Sequence, residues 1–496
     1  MPRSYIDPPL PVAALATSPG EAALAVVRTS GPGCIELAGR VFSRPATLRA
    51  APGHSGVYGE IVDPASGEAV DQVLAFVYRA PRSPTGEDQV EFSCHGSPAV
   101  VRRLLDILER IGFAQALPGE FSFRAFVNGK IDLVRAEAVN ELVRARSDAA
   151  REDALERLEG GLSSRLEAAR ARLLAILAEV ELRLDYGEDE IGGLFPEDAS
   201  PDSGVLHASL LALRDELLRL SATYAAGRLV SEGLRAAFAG APNVGKSRLF
   251  NLFLREERSI VSPEPGTTRD WIEAEVELEG LRLRLIDTAG LRRAVSAVEA
   301  EGVARSERIL AEAELLLFLV DASLPDAAAV GEALAEAEAL RGRRPDALFV
   351  WNKIDISPAG GHAPGRGHPE GFFPVSAATG QGFPELAAAL ARRAREIIDA
   401  PFKTHEGPAG GSAVGLASTA GPGKRPPRLA SARQKGLLDR AAAAIDAAAA
   451  ALGAGSGLDA AALDLREAAD ALGEITGEIT TPEILEAIFS RFCVGK

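Results

Sequence analysis

The sequence predicts a multidomain chain: an α+β amino-terminal domain, a helical bundle, and a doubly wound α/β domain inserted into that bundle. Three observations carry this. The chain has 496 residues, room for about three domains at roughly 150 residues each. Leucines at helical spacing fill the stretch after the first quarter and return at the end. Between them, short apolar runs alternate with helix-like segments, the pattern of a mostly parallel sheet. The composition is 47% hydrophobic and 25% charged, as in ordinary globular proteins, which excludes wholesale disorder. The formal charge of -16 excludes a global positive field for nucleic acid, so any RNA contact needs a local basic patch or a partner.

Residues 1–128 mix β-like runs with Gly/Pro punctuation. Val70–Tyr78 is one run and Val26 ends another, with helix-like Val100–Arg110 between later runs. From 129 to 230 helices dominate. Leu166, Leu173, Leu177, Val180 and Leu184 share one stripe, and Leu206, Leu210, Leu213, Leu217 and Tyr224 share another, as core seams without chemistry. From 231 to 402 strands return. Ile272, Ala274, Val276 and Leu278 alternate with glutamates, Gly280 turns the chain, and Leu281, Leu283 and Leu285 alternate back. Leu315–Val320 and Ala347–Trp351 have buried-strand length. Residues 403–430 read as a Gly/Pro/Ala/Ser-rich linker. Residues 431–496 are helical again, with Thr481 as N-cap before Pro482 and an apolar face of Ile484, Leu485, Ile488, Phe489 and Phe492. These last helices are expected to rejoin the first bundle.

The three cysteines, Cys34, Cys94 and Cys493, form no CxxC pair or zinc spacing. No run approaches the ~18 apolar residues of a membrane span. No apolar core of a signal peptide follows Arg3. The expectation is a cytoplasmic protein.

Gly240-Ala241-Pro242-Asn243-Val244-Gly245-Lys246-Ser247 matches GxxxxGK[ST]. Glycines let backbone N–H groups close on phosphate oxygens, and the following helix turns its positive end to the same charge. Lys246 supplies a cation to the outer phosphates, and Ser247 a hydroxyl to Mg²⁺. Gly266-Thr267-Thr268-Arg269-Asp270, Asp287-Thr288-Ala289-Gly290, Asn352-Lys353-Ile354-Asp355 and Ser376-Ala377 follow in the order of a GTPase domain, three of them directly after apolar strands. The Asp355 carboxylate accepts two hydrogen bonds from guanine. Adenine lacks that donor pair and would leave the carboxylate unsatisfied, so the nucleotide is GTP. Leu291 stands where many GTPases place a water-orienting glutamine. Glu299, twelve residues past Asp287, can take that role, though a solvated helix face would also carry such a glutamate. Asn243 suggests a monovalent cation at the phosphates.

With these residues in hand, the chain from about Ala14 to Lys496 resembles the bacterial tRNA modification GTPases of the MnmE (TrmE) family. The resemblance rests also on Leu117–Lys130 (LPGEFSFRAFVNGK), on Leu133–Asn140 (LVRAEAVN), and on Thr85–Asp88 and Leu472–Gly477. Its most specific part is the tail Cys493-Val494-Gly495-Lys496. It implies a folate-binding amino-terminal domain, a helical domain and an inserted GTPase domain. It implies a homodimer joined through the amino-terminal domains, and a heterotetramer with the flavoprotein MnmG. Together these install a carboxymethylaminomethyl-type group on carbon 5 of the wobble uridine of tRNA. The one-carbon unit comes from 5-formyltetrahydrofolate or 5,10-methylenetetrahydrofolate.

By the same resemblance the folate contacts fall on Arg28, Glu91, Lys130 and Lys496. The K⁺ ligands fall on Asn243, Ser262, Glu264 and Thr267, the Mg²⁺ ligands on Ser247 and Thr268, and the catalytic glutamate on Glu299. Pro263 and Pro265 flank Glu264 but leave main-chain carbonyls free, and Arg248 replaces the more usual small residue after Ser247. Cys493 reads either as a reactive or folate-site thiol or as a buried structural cysteine. His95 is isolated, as a surface or satisfied histidine. Arg124, Lys130, Arg135, Arg144 and Arg146 form a basic cluster that either meets tRNA phosphates or is solvated helix charge. The other class of function for the same motifs is a ribosome-assembly or regulatory GTPase switch without base chemistry.

Overall fold

The computed structural model describes residues 3–5, 7, 9–185, 203–259, 272–287, 309–324, 327–344, 346–356, 369–403, 427–453 and 457–496. It divides into two compact units. Met1–Val143, Glu156–Leu210 and Ala443–Lys496 form one, and Arg144–Leu155 with Leu211–Ala442 the other.

The first unit is built on a six-stranded sheet. Its strands are β1 (Val12–Leu15), β2 (Ala22–Ser30), β3 (Ser55–Val62), β4 (Ala69–Tyr78), β5 (Gln89–Gly96) and β6 (Ala114–Gln115). They run in the order β3-β4-β5-β2-β1-β6, antiparallel except for β1 and β6. Period-two alternation sets the faces. Val73, Ala75 and Val77 of β4 point into the core with Val27 of β2 and Phe92 of β5. The helix Pro98–Arg110 covers that face with Leu104, Ile107 and Leu108, starting on a proline whose missing N–H is no loss in the first turn. β2 does not end at Val26. It continues through Arg28, Thr29 and Ser30, where polar residues hide the strand from an apolar count. Arg28 thereby faces Glu91 across the β2–β5 ladder.

Helix Gly161–Asp185 packs along helix Leu458–Thr476, so the end of the chain does rejoin the first helices. Leu166, Leu173, Leu177 and Val180 are buried, as the seam requires. Leu184 is 37% exposed, because the seam ends a turn earlier. Arg466 pairs with Glu181 at 2.7 Å and Arg170 donates to the Ala469 carbonyl at 3.2 Å, fixing the pairing. The closing helix Pro482–Phe489 begins as expected: the Thr481 hydroxyl accepts from the Ile484 N–H. It seats Phe489, fully buried, among Phe123, Leu133 and Phe492.

The second unit holds seven strands: β7 (Leu234–Gly240), β8 (Arg258–Ser259), β9 (Ile272–Leu278), β10 (Leu281–Asp287), β11 (Leu315–Asp321), β12 (Ala347–Asn352) and β13 (Phe372–Val375). Their order is β13-β12-β11-β7-β10-β9-β8, parallel from β13 to β10. β9 and β10 form the antiparallel hairpin turned at Gly280. Helices Lys246–Glu256 and Phe383–Lys403 bury Phe250, Phe253 and Leu390 on one face with Phe238 and Leu317. Helix Ala327–Arg343 covers the other, over Phe318, Phe349 and Trp351. Most of the expected linker, 404–426, lies outside the described residues. At its far end Arg428 is buried and paired with Asp153 at 3.3 Å and Asp399 at 3.1 Å. No described helix is long and apolar enough to cross a membrane.

Candidate functional site

The carboxyl ends of parallel strands gather the nucleotide motifs of the second unit, where α/β sheets bind ligands. β7 ends at Gly240, whose φ is 125°. A Cβ there would lie 2.3 Å from the Leu319 carbonyl of neighbouring β11, so no other residue fits. The loop then turns through Asn243 (φ 63°) to Gly245 (φ 103°), the N-cap of helix Lys246–Glu256. Those left-handed turns curl the backbone into the concave form that anions occupy. Lys246, 8% exposed, donates from Nζ to the carbonyls of Gly240 and Ala241, both at 2.8 Å. Ser247 is half-buried in the first helical turn, and Arg248 is exposed.

Asn352, at the end of β12, is 1% exposed and joins two loops. Its Nδ2 donates to the Val244 carbonyl at 2.8 Å, and its Oδ1 accepts from the Ala377 N–H at 3.0 Å. The exposed Asp355 carboxylate accepts from the Ser376 hydroxyl at 2.6 Å, which aims it. Asp287 ends β10, 2% exposed. The fold thus gathers Gly240, Asn243, Val244, Gly245, Lys246, Ser247, Asp287, Asn352, Lys353, Asp355, Ser376 and Ala377 at one sheet edge. Ser262, Glu264, Thr267, Thr268, Thr288, Ala289, Gly290 and Glu299 lie outside the described residues.

Sequence reasoning passed over Asp321. It ends β11 and pairs with Lys353 at 2.6 Å. Burial works against its charge, but the hydrogen bonds from Lys353 and Ser323 outweigh this and hold its pKa below the usual carboxylate range. The available signal was positional: like Asp287 and Asn352, it is the polar residue that closes an apolar strand.

In the first unit, Arg28 Nε meets Glu91 at 2.7 Å, and Arg28 Nη1 donates to the Gly495 carbonyl at 3.2 Å. The guanidinium also lies 5.5 Å from the Phe121 ring centre. Gln89 donates to the same Glu91 oxygen at 3.0 Å, while its own buried Oε1 finds no partner among the described residues. The carboxy-terminal tail is pinned by Gly119 N–H to the Cys493 carbonyl (3.2 Å) and by Phe121 N–H to the Lys496 carbonyl (3.0 Å). Gly495 sits at φ 91°, and a Cβ would lie 2.3 Å from the Leu15 carbonyl. Lys130 is exposed and donates to the Pro81 carbonyl at 3.0 Å. Beside the tail is a cavity of about 580 Å³, lined by Arg102, Asp106, Phe113, Cys493 and Lys496 among others. Of the four residues expected at folate, only Lys496 lines it.

Two expectations are corrected. Cys493 is not a buried structural cysteine: it is exposed, while Cys34 and Cys94 are buried. Arg124 is not part of a phosphate-facing patch. It is 6% exposed, between Glu120 at 2.7 Å and Glu87 at 2.9 Å, because an isolated guanidinium is too costly to bury without carboxylates. Arg135 and Arg146 face Asp132 at 3.5 Å and Glu275 at 3.1 Å. His95 is a surface histidine against Asp71, 2.7 Å away.

Two family models match. The one described as the GTP-binding protein TrmE N-terminus covers residues 11–130, and the MnmE helical domain covers residues 133–493. Among similar proteins is the tRNA modification GTPase MnmE of Chlorobium phaeovibrioides (strain DSM 265 / 1930), 40% identical over 494 residues, 98% of this chain and 97% of that one. The protein of the same name from Thermus thermophilus (strain ATCC 27634 / DSM 579) is 41% identical over 486 residues, 98% and 99% of the two chains. That of Moorella thermoacetica (strain ATCC 39073 / JCM 9320) is 39% identical over 496 residues, 98% and 99%. With both models matched and such identity along nearly its whole length, the chain belongs to the MnmE family of tRNA modification GTPases.

Proposed function

We propose that the chain is a GTP hydrolase acting in the modification of tRNA. The observation that carries the nucleotide half is Asn352, which ties the phosphate loop at Val244 to the guanine loop at Ala377. Phosphates meet the N–H groups of Gly240–Ser247 and the positive end of the helix behind them. Lys246 exchanges the Gly240 and Ala241 carbonyls for phosphate oxygens. Asp355 accepts from guanine while Ser376 holds it in place. Ser247 and Thr268 would hold Mg²⁺, which neutralises charge on the β- and γ-phosphates. Glu299 orients the attacking water. Asn243, Ser262, Glu264 and Thr267 would hold K⁺, whose charge offsets that of the phosphates in the transition state. Thr267, Thr288, Ala289 and Gly290 complete the contacts to nucleotide.

The folate reading is supported by the meeting of Arg28, Glu91 and the tail, and by the unpaired Gln89 oxygen beside them. Arg28, Glu91, Lys130 and Lys496 would hold a tetrahydrofolate derivative, which supplies the one-carbon unit. With MnmG as flavoprotein partner, the product is a carboxymethylaminomethyl-type group on carbon 5 of the wobble uridine. A homodimer through the amino-terminal domains is supported by the outer face of the first sheet, where Leu24, Tyr58 and Leu74 are 62%, 54% and 46% exposed. The working division is 1–128, 129–230, 231–402, 403–430 and 431–496, in the cytoplasm. The test is quantification of modified wobble uridine in a deletion strain. Loss of the nucleoside, restored by the gene, is expected. Unchanged tRNA, with GTP-dependent sedimentation on ribosomal subunits, would overturn the reading in favour of a regulatory switch.

A further inference from the structure

We propose that Asp321 is a positioning residue of the guanine-nucleotide site, holding Lys353 in place so that the Asn352–Asp355 loop is formed before nucleotide arrives. The inference rests on the guanine reading of that loop and goes one residue class deeper, to a carboxylate on a different strand.

The geometry starts from the sheet. β11 lies between β7, which ends in the phosphate loop, and β12, which ends in the base-reading loop. Leu319 is in register with Gly240, and Asp321 with Asn352. Asp321 therefore stands at the carboxyl edge between the two loops. Its two oxygens have separate tasks. Oδ1 accepts from the Ser323 N–H at 2.9 Å and the Ser323 hydroxyl at 2.6 Å, an Asx turn that fixes the carboxylate. Oδ2 faces the Lys353 ammonium at 2.6 Å. Next to it, the Ala322 N–H donates to the Asn352 carbonyl at 2.7 Å, so the same turn grips the loop by main chain and by side chain.

Lys353 needs such a grip. Its φ is 68°, a left-handed conformation that a residue with a Cβ adopts only when its surroundings impose it. It sits between Asn352 and Asp355, so relaxation of Lys353 moves both. The pair is half-buried, with side chains 26% and 17% exposed, where an ion pair is screened less than on an open surface. Asp321 contributes by keeping that backbone strained and ready, which lowers the ordering cost at binding. Loss of the carboxylate acts on retention of nucleotide rather than on hydrolysis.

The experiment is stopped-flow binding of mant-GDP to the full chain for wild type, Asp321→Asn, Lys353→Met and the double variant. A positioning role predicts a Kd about tenfold weaker for Asp321→Asn, carried mainly by faster release. It also predicts that the double variant is no weaker than Lys353→Met alone, because the carboxylate acts through the lysine. Ser323→Ala, which removes one of the two donors to Oδ1, should weaken retention two- to threefold in the same direction, and serves if Asp321→Asn does not fold. Wild-type affinity in both Asp321→Asn and Ser323→Ala would overturn the proposal, as would an effect that adds in full to that of Lys353→Met. Wild-type protein that binds no mant-GDP would overturn the guanine reading itself, and the proposal with it.

Discussion

Gly495→Ala tests whether the tail is held as the first unit requires. Alanine in a left-handed conformation costs about 1–2 kcal/mol. Its Cβ would lie 2.3 Å from the Leu15 carbonyl and 2.9 Å from Ala16 Cα, and both are backbone, so the tail must move. Movement sacrifices the Phe121–Lys496 bond at 3.0 Å and the Arg28–Gly495 bond at 3.2 Å, each worth about 1 kcal/mol. The sum, about 3–4 kcal/mol, raises the detached population of the tail by two to three orders of magnitude. Carboxypeptidase digestion followed by mass spectrometry reads that population. Release of Lys496 should quicken by about a hundredfold, and calorimetry should show 5-formyltetrahydrofolate bound at least tenfold more weakly. Retained mant-GDP binding reports that the nucleotide unit is still folded. Digestion and folate affinity equal to wild type would refute the reasoning, since the steric conflict leaves the tail no third place.

Asn352→Ala leaves the Val244 carbonyl and the Ala377 N–H without partners, at about 1–3 kcal/mol each, so fluorescence titration should show GDP bound at least thirtyfold more weakly. Ellman's reagent at pH 8 should titrate one thiol in the native chain and three in guanidinium. Burial pushes the Cys34 thiol up to about 12 and the Cys94 thiol up to about 11, so both stay almost wholly protonated at the assay pH, whereas Cys493 is exposed. Glu299→Ala should slow steady-state GTP turnover by about a hundredfold or more while GTP affinity stays within about twofold. Sodium in place of potassium should slow the same turnover, and equal rates in both salts would remove the cation from the site.

Much of the nucleotide unit can be read directly. Alternation marks the β9–β10 hairpin, and the apolar runs mark β11 and β12. The N-cap at Thr481 is equally legible, because capping is settled within four residues. The failures have one cause. An apolar count stops β2 early because Arg28, Thr29 and Ser30 are polar, yet Thr29 and Ser30 are fully buried, Thr29 bonding across the sheet to the Val90 carbonyl and Ser30 to the Thr85 hydroxyl in the loop before β5. Arg124 reads as a surface cation because its burial depends on Glu87, which is 37 residues away in the chain.

Periodicity and short motifs alone mark the β9–β10 hairpin, strands β11 and β12, the cap at Thr481 and the family that the loops resemble. These are local properties, written in periodicity and in loops of a few residues. Only the tertiary structure decided that the Gly495 carbonyl meets Arg28, 467 residues earlier, and that Asp321 answers Lys353 across two strands. Such pairings depend on register and closure in three dimensions, and no spacing along the chain encodes them.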